Sequence, residues 1–531
     1  MNGRIARWTS FVTVLLCGLF VGVGLAFAEV QPESGFGLPR DVSLEGWRID
    51  WLIQVTTLFV GLLFFIMCVW MVYACVVHNE DHEAVYDHGD AKHAVVFALT
   101  LSCVIFFVVD GNRMTTAGGT SSIDLMLKLI ADDLGEDLAN EFWDRYHDNY
   151  VARADIDQIA EWGFNSIRIP FHYKQFSETP GDVNPFGYEI VDSLLSWCAP
   201  YNMYIILDMH CAPGGQNSGE ISDSDGTARL WLEDGYKEHT IEIWQDIATY
   251  YADEPLIGGY DLINEPVLPD GVSSIELREL YIDITNVIRE ADTNHIVFIE
   301  GNWYATDFTS LTPPWDDNMS YSFHKYWNDP TLGTIQYLIS MGNTNNVPLW
   351  MGESGENSNH WFYEAVQLFE SNTIGWNWWT HKKLDKITSP LSAIINPQYQ
   401  DILDYWNGNG SEPSTAYAQA ALFGMAENLK IEHCETRPGV IPALLDPNYG
   451  ETPVPLKTHS IPGMIAAVDY DIGAKNVAYT DNDYMNTGGG GYNWGWAHRN
   501  DGVDIEGNAD PDGLPFNVGW TDVGEWMGYT I

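Results

Sequence analysis

Short apolar runs alternate with amphipathic stretches through the middle of this chain. The runs are Ser166–Pro170, Tyr204–Met209, Gly259–Ile263, His295–Glu300, Ser320–His324, Leu349–Gly352 and Ile374–Trp378. Each is too short for a core helix, so each reads as a buried strand. Between them, Leu232–Tyr251 and Ile275–Ala291 place apolar residues at helical spacing. Two further helical stretches, Ile123–Leu134 and Leu138–Tyr150, come first, with acids on their polar faces. Strand and helix alternating over about 270 residues predicts the α/β class and a (β/α)8 TIM barrel. The count of strands is one short of closure. Either Val95–Val109 supplies the first strand, or the barrel is open at one edge, with unpaired backbone groups there.

The two ends of the chain follow other patterns. Residues 1–28 carry Arg4 and Arg7, an apolar run and Ala26-Phe27-Ala28, the layout of a signal peptide. An apolar stretch from about Trp51 to Val77 is long enough to span a bilayer, and one from about Ala94 to Val109 is marginal. The loop between them, His78 to His93, is acidic with a single Lys, which fails the expectation for a cytoplasmic loop. Its four His read as a solvated loop rather than a metal site. Residues 446–460 read as a linker, and 461–531 as short strands separated by Gly, Asn and Asp turns.

Composition narrows the partners. The 531 residues carry 74 acids against 24 Lys and Arg, a net charge of −50. That excludes nucleic acid as a partner and disfavours an anionic membrane surface. Such acidity fits solubility in high salt and an ordinary acidic secreted protein equally. Seven Cys lie scattered with no CxxC spacing, so neither a disulfide framework nor a zinc site is expected, and no cofactor.

Candidate chemistry sits where strands run out. Tyr260-Asp261-Leu262-Ile263-Asn264-Glu265-Pro266 reads as a short buried strand ending in an amide and a carboxylate, stopped by proline. Pro348-Leu349-Trp350-Met351-Gly352-Glu353-Ser354 is a second apolar run ending in a glutamate. In a barrel of this kind chemistry lies at the carboxyl ends of strands. Two glutamates placed there could serve as the acid/base and the nucleophile of glycosidic cleavage. Arg168, His210, His324, Tyr326 and Trp379 fall at other strand ends. Strand alternation puts Trp376 and Trp378 on the face opposite Trp379, in the core.

Six motifs in order carry a resemblance: GFNSIRIPFHY, LDMHCAPGGQN, GGYDLINEP, YSFHKYW, PLWMGESGE and GWNWWTHKK. Together, over about 118–445, they resemble glycoside hydrolase family 5, the cellulase-like retaining glycosidases. The resemblance implies a polysaccharide substrate, a β-glucan of cellulose type, with Glu265 as general acid/base and Glu353 as nucleophile. It implies that Asn264 binds the sugar 2-hydroxyl and that Arg168 keeps the nucleophile ionised. His210, His324 and Tyr326 would position the sugar and the glutamates, and Trp379 would stack on the sugar. Trp231, Trp303 and Trp327 are candidates for outer stacking positions. The acid requires a raised pKa, from burial and from the nearby nucleophile. One departure is plain: the family's opening strand, of the type RGVNLGGW, is not found ahead of the helices.

The flanks carry resemblances of their own. GWRIDWLIQVTTLFVGLLFFIMCVW and YDHGDAKHAVVFALTLSCVIFFVVDGN, within 37–110, resemble the membrane hairpin of cytochrome oxidase subunit II. No copper-ligand pattern follows, so a respiratory role is not supported. The hairpin implies membrane contact through 51–109 and a catalytic domain outside the cytoplasm, secreted or anchored. The seam near Asp110–Gly118 reads as two unrelated coding segments joined. IPGMIAAVDYDIG, NVAYTDNDYMNTGGGGYN and DGVDIEG resemble a family 6 carbohydrate-binding module, here a partial β-sandwich. That family's calcium-binding glutamates would fall near Ala466 and Val468, which cannot ligate calcium, and Tyr492 is the one sugar-stacking candidate. The alternative to an enzyme is a non-catalytic, membrane-tethered carbohydrate-binding chain with an incomplete barrel.

Overall fold

The structure, a computed structural model, describes residues 136–407, 409–488, 492–509 and 515–531. The signal peptide, the hairpin, the Ile123–Leu134 helix and the Val95–Val109 strand candidate lie outside them. Among the described residues no helix is long and apolar enough to cross a membrane. The chain divides into two units. One joins residues 1–113 to 400–414; its described part includes a helical turn in which Gln400 Nε2 donates to Asp404 Oδ1 at 2.8 Å. The other, 114–399 with 415–531, holds the barrel and the tail.

The barrel unit opens with α1 (Glu136–Tyr150) and α2 (Arg153–Trp162), and then seven parallel strands follow in chain order. They are β1 (Ser166–His172), β2 (Tyr204–Cys211), β3 (Ile257–Asp261), β4 (Ile296–Glu300), β5 (Met319–Lys325), β6 (Leu349–Ser354) and β7 (Gly375–Trp376). Each pairs with its sequence neighbours, so the sheet order is the chain order. Helices cover the outside: α3 (Pro185–Cys198), α4 (Asp234–Tyr251), α5 (Ser274–Ala291), α6 (Leu332–Asn345) and α7 (Asn359–Ser371). Every residue of β5 is buried, as a parallel strand covered on both faces requires. Helix α5 shows why these segments are helices. Ser273 caps it by accepting from the Ile275 N–H, and Leu277, Leu280, Tyr281, Ile284 and Ile288 bury one stripe.

β3 differs from the sequence reading. It ends at Asp261, not Ile263, and Leu262 and Ile263 are fully buried beyond it. The Leu262 N–H bonds to Phe298 O and the Asn264 N–H to Met209 O, so the chain leaves the ladder while its groups stay satisfied.

β1 and β7 each have one strand neighbour among the described residues, so the ring has a seam between them. Side chains bridge it. Phe164 meets Trp376 edge-on, 6.0 Å between ring centres. Behind it, Asp155 of α2 and Lys382 of β8 (Lys382–Leu384) form a wholly buried ion pair at 2.7 Å. Lys382 Nζ also donates to the carbonyls of Tyr150 and Leu429, both at 2.7 Å. Asp155 in turn accepts the Ala152 N–H at 2.9 Å and so caps α2.

β8 pairs with β9 (Leu391–Ala393), and β9 with β10 (Glu435–Thr436). The segment expected as a linker carries Tyr449 into the barrel's core. The tail strands β11 (Tyr479–Thr480), β12 (Ile505–Gly507), β13 (Phe516–Val518) and β14 (Trp526–Met527) make two separate antiparallel ribbons, β11 with β14 and β12 with β13. They share a small core of Val468, Tyr470, Ala478, Tyr479, Val503 and Ile505. Among the described residues these ribbons do not make the two face-to-face sheets of a complete sandwich, and only a partial one is expected.

The tail is stitched to the loop that follows β6. Asn359 N–H donates to Asn500 O at 2.6 Å, and Asn500 Nδ2 returns to Asn357 O at 2.7 Å. Asn357 Nδ2 donates to Asn486 O at 2.9 Å, and Asn359 Nδ2 to Asp501 Oδ1 at 2.7 Å.

Candidate active site

The carboxyl ends of the strands converge on one guanidinium. Arg168, near the middle of β1, has a side chain only 2% exposed. Its Nε donates to Asp261 Oδ2 at 2.9 Å, and its Nη1 to Glu353 Oε2 at 3.1 Å, with Asp208 Oδ2 also 3.1 Å away. Nη2 donates to Asn264 Oδ1 at 2.9 Å and Glu300 Oε1 at 3.0 Å. One cation therefore serves four buried carboxylates, not the nucleophile candidate alone. Burial opposes the charge, but those carboxylates raise the arginine's pKa well above its ordinary value. Asp261 is left short of cations. Burial and the neighbouring Glu300 push its carboxyl well above the ordinary value, against the pull of Arg168.

The two glutamates lie together. One oxygen of Glu265, one of Glu353 and a ring nitrogen of His324 lie within 4.8 Å of one another. Glu353 Oε1 accepts from Tyr326 Oη at 2.7 Å while Oε2 takes Arg168. Glu265 Oε1 meets His324 Nδ1 at 2.7 Å. A register shift between Phe323 and His324 places His324 opposite Glu353 across the β5–β6 ladder. Burial opposes the charge of His324, yet Glu300, Glu353 and Glu265 raise its pKa well above the ordinary value. For Glu265 the sequence reading expected a raised pKa, and the geometry reverses it. Burial does push it up, but the His324 hydrogen bond and the charges of His324, His210 and Arg168 hold the carboxyl below its usual range. Both directions favour the charged form of each partner.

Glu265 adopts φ +45°, a left-handed backbone that a non-glycine residue takes only when its neighbours impose it. Its N–H donates to Glu300 Oε2 at 2.6 Å, and its carbonyl accepts from Asn217 Nδ2 at 3.0 Å. Gln216 Nε2 bonds both Asn264 O, at 2.8 Å, and His210 O, at 2.7 Å. The loop after β2 thus clamps the loop after β3. Arg168 fixes the Asn264 oxygen, which leaves the buried Nδ2 as a donor without a hydrogen-bond partner among the described residues.

His210 is held by Asp208, two residues earlier on the same face of β2, through Nδ1 at 2.8 Å. Its ring stacks on Trp379, 5.4 Å between centres and 1° from parallel. Trp379 is fixed in turn by its N–H to Ser354 O at 2.7 Å. Trp376 and Trp378 pack against the core, as alternation requires.

Two aromatic candidates fall elsewhere. Trp231 is 3% exposed, and its Nε1 donates to Gln216 O at 2.7 Å, so it supports the clamp loop and offers no stacking face. Tyr492 is also 3% exposed; its hydroxyl donates to Glu356 O at 3.4 Å, and its ring meets Trp496 edge-on. A polar tail finds its core by burying such rings against the barrel, so Tyr492 presents no face to a sugar. Trp303 and Trp327 remain exposed, at 62% and 49%. Asp208, Asp261 and Glu300 were not singled out from sequence. Glu300 had the signal that marked Glu353, a carboxylate ending an apolar strand, and Asp208 the strand period that couples it to His210.

Residues 135–384 match the family model described as Cellulase (glycosyl hydrolase family 5). A β-xylosidase of Phanerodontia chrysosporium is 32% identical over 204 residues, 37% of this chain and 42% of its own length. Endoglucanase C of Acetivibrio thermocellus is 31% identical over 189 residues, 35% of this chain and 53% of its own. A probable glucan 1,3-beta-glucosidase A of Aspergillus fumigatus is 29% identical over 176 residues, 33% of this chain and 42% of its own. The chain thus spans about half or less of the length of these relatives. The matched segment contains all seven barrel strands and every residue of the converging site.

Proposed function

We propose that the barrel is a retaining, endo-acting β-glycosidase on β-glucan, with β-1,4 linkages first. The observation that carries this is the placement of Glu265 and Glu353, with oxygens within 4.8 Å and different partners on each. Carboxyls about 5–5.5 Å apart leave no room for an inverting water and favour a covalent glycosyl-enzyme. Glu353, held by Tyr326 and Arg168, attacks the anomeric carbon as its leaving group departs. Glu265 gives that leaving oxygen a proton and later takes one from the water that releases the sugar.

The proton for the first step comes from within the pair. Moving it from His324 Nδ1 to the Glu265 carboxylate turns two charges into none. Covering the site with sugar, which removes water, favours that transfer because desolvation penalises charged forms. The free Nδ2 of Asn264 suits a sugar hydroxyl, and Trp379 offers a flat ring beside it. A β-1,3-glucan is the second substrate to test, since one similar protein bears a 1,3-glucosidase name.

The test is reducing-sugar release from soluble β-1,4- and β-1,3-glucan by the wild-type chain and by Glu265→Gln and Glu353→Gln. The Glu353→Gln loss is expected to reach at least ~10³-fold, as nucleophilic and electrostatic terms vanish together. Wild-type turnover no higher than that of the variants would refute the reading.

A further inference from the structure

We propose that Glu300, at the end of β4, is the positioning residue that holds the acid/base Glu265 in its working geometry, both through the main chain and through His324. This rests on the glycosidase reading and adds a residue to it. Glu300 is fully buried. Its two oxygens divide the work. Oε2 accepts the Glu265 N–H at 2.6 Å, the one hydrogen bond to the main-chain nitrogen of a residue at φ +45°. Oε1 accepts from Arg168 Nη2 at 3.0 Å and lies 3.2 Å from His324 Nε2. His324 therefore stands between two carboxylates, bonded to Glu265 through Nδ1 and within ion-pair distance of Glu300 at Nε2, where no hydrogen bond is formed among the described residues.

That arrangement has a chemical consequence. A negative charge at Nε2 keeps a proton on that nitrogen, so the proton that moves is the one at Nδ1, toward Glu265. Without it the ring could lose its Nε2 proton instead, and the neutral ring could not pass its Nδ1 proton to Glu265 without becoming an imidazolate. Other titratable groups surround the ring: Glu265 from the loop after β3, Asp261 from β3, Glu353 from β6 and Arg168 from β1. Among them Glu300 alone touches the ring, the arginine and the acid's backbone together. Tyr281 Oη, donating to the Glu300 carbonyl at 3.0 Å, anchors the strand end from α5.

Glu300→Gln keeps the shape and removes the charge. Two readouts test it. The first is the titration of His324 by NMR of its ring. The midpoint in Glu300→Gln is expected to fall by at least ~1 pH unit, since an opposite charge within hydrogen-bonding reach is worth about 1–3 units. The second is kcat on two substrates, soluble β-glucan and 2,4-dinitrophenyl β-cellobioside, whose leaving group departs without a proton. The expected loss is roughly 10–100-fold on the glucan, with KM little changed, and markedly smaller on the aryl glycoside. Equal losses on both substrates with an unmoved His324 midpoint would overturn the proposal. If Glu300→Gln does not fold, Glu300→Asp carries the test. It keeps the charge near His324 but withdraws from the Glu265 N–H, so the midpoint should hold while glucan turnover drops; unchanged turnover there overturns the proposal. A wild-type chain that cleaves neither substrate overturns the glycosidase reading, and the midpoint shift then decides alone whether Glu300 holds His324.

Discussion

Replacing Lys382 with Met tests how the seam between β7 and β1 is held. Lys382 and Asp155 are both fully buried, 2.7 Å apart. Met fills most of the lysine's volume but removes the cation beside Asp155, leaving the buried carboxylate only His381 and the Ala152 N–H. Breaking one side of such a pair typically costs ~3–5 kcal/mol. The unit that unfolds has roughly 400 residues, and an unfolding entropy of ~2.1 cal/mol/K per residue makes each degree of Tm worth ~0.8 kcal/mol. The expected drop in Tm is therefore ~4–6 °C. Scanning calorimetry at pH 7 reads it. The carboxyl of Asp155 is pushed up by burial, but His381 and Lys382 hold it below its ordinary value. A depressed carboxylate stabilises above its unfolded pKa, and that contribution is lost as pH falls through the folded one. The penalty of Lys382→Met should shrink accordingly as the medium is acidified. Adding Asp155→Asn should recover part of the loss, because the amide oxygen still accepts the Ala152 N–H. A double variant as unstable as the sum of the two single ones would refute the coupling.

Tyr326→Phe removes the hydroxyl that donates to Glu353 Oε1 at 2.7 Å. A hydrogen bond to a charged group is worth ~1.5–3 kcal/mol, so kcat should fall roughly 10–100-fold and Tm by no more than ~2–4 °C. The Glu265–His324 pair predicts opposite limbs in stability against pH. Glu265, depressed, stabilises above the unfolded carboxylate value of ~4.3 and loses that as pH falls through its folded pKa. His324, raised, stabilises below ~6.5 and loses that as pH rises through its folded pKa. Urea melts of Glu265→Gln from pH 3 to 7 should show a flatter acid limb than the wild type; parallel limbs would contradict the assignment.

The barrel was legible because its strands are apolar over their whole length and its helices are amphipathic. Those patterns survive without any knowledge of neighbours. The end of β3 was not. Leu262 and Ile263 are as apolar as the strand before them, and only the turn of the Asn264 N–H to Met209 of β2 and the clamp from Gln216 show that the ladder has stopped. Glu265 and Glu353 could be picked out as strand-end acids, but the sign of the Glu265 shift could not, because it depends on where His324 turns after a register shift. Trp231 and Tyr492 were misplaced for a related reason. An aromatic in a polar loop reads as exposed until the surface it lies against is known. Asp208, Asp261 and Glu300 became visible only once Arg168 gathered them.

The stitching of the tail to the loop after β6 also has a meaning in time. Asn357 is bonded to Asn500, 143 positions later. A ribosome adding about 5–20 residues per second needs roughly 7–30 s to reach the second residue after the first. During that interval the strands can already pair, yet the loop following Glu353 lacks the groups that satisfy it. The nascent barrel must wait, with Glu353 in place and the segment beyond it unfastened, until the tail emerges to lock it.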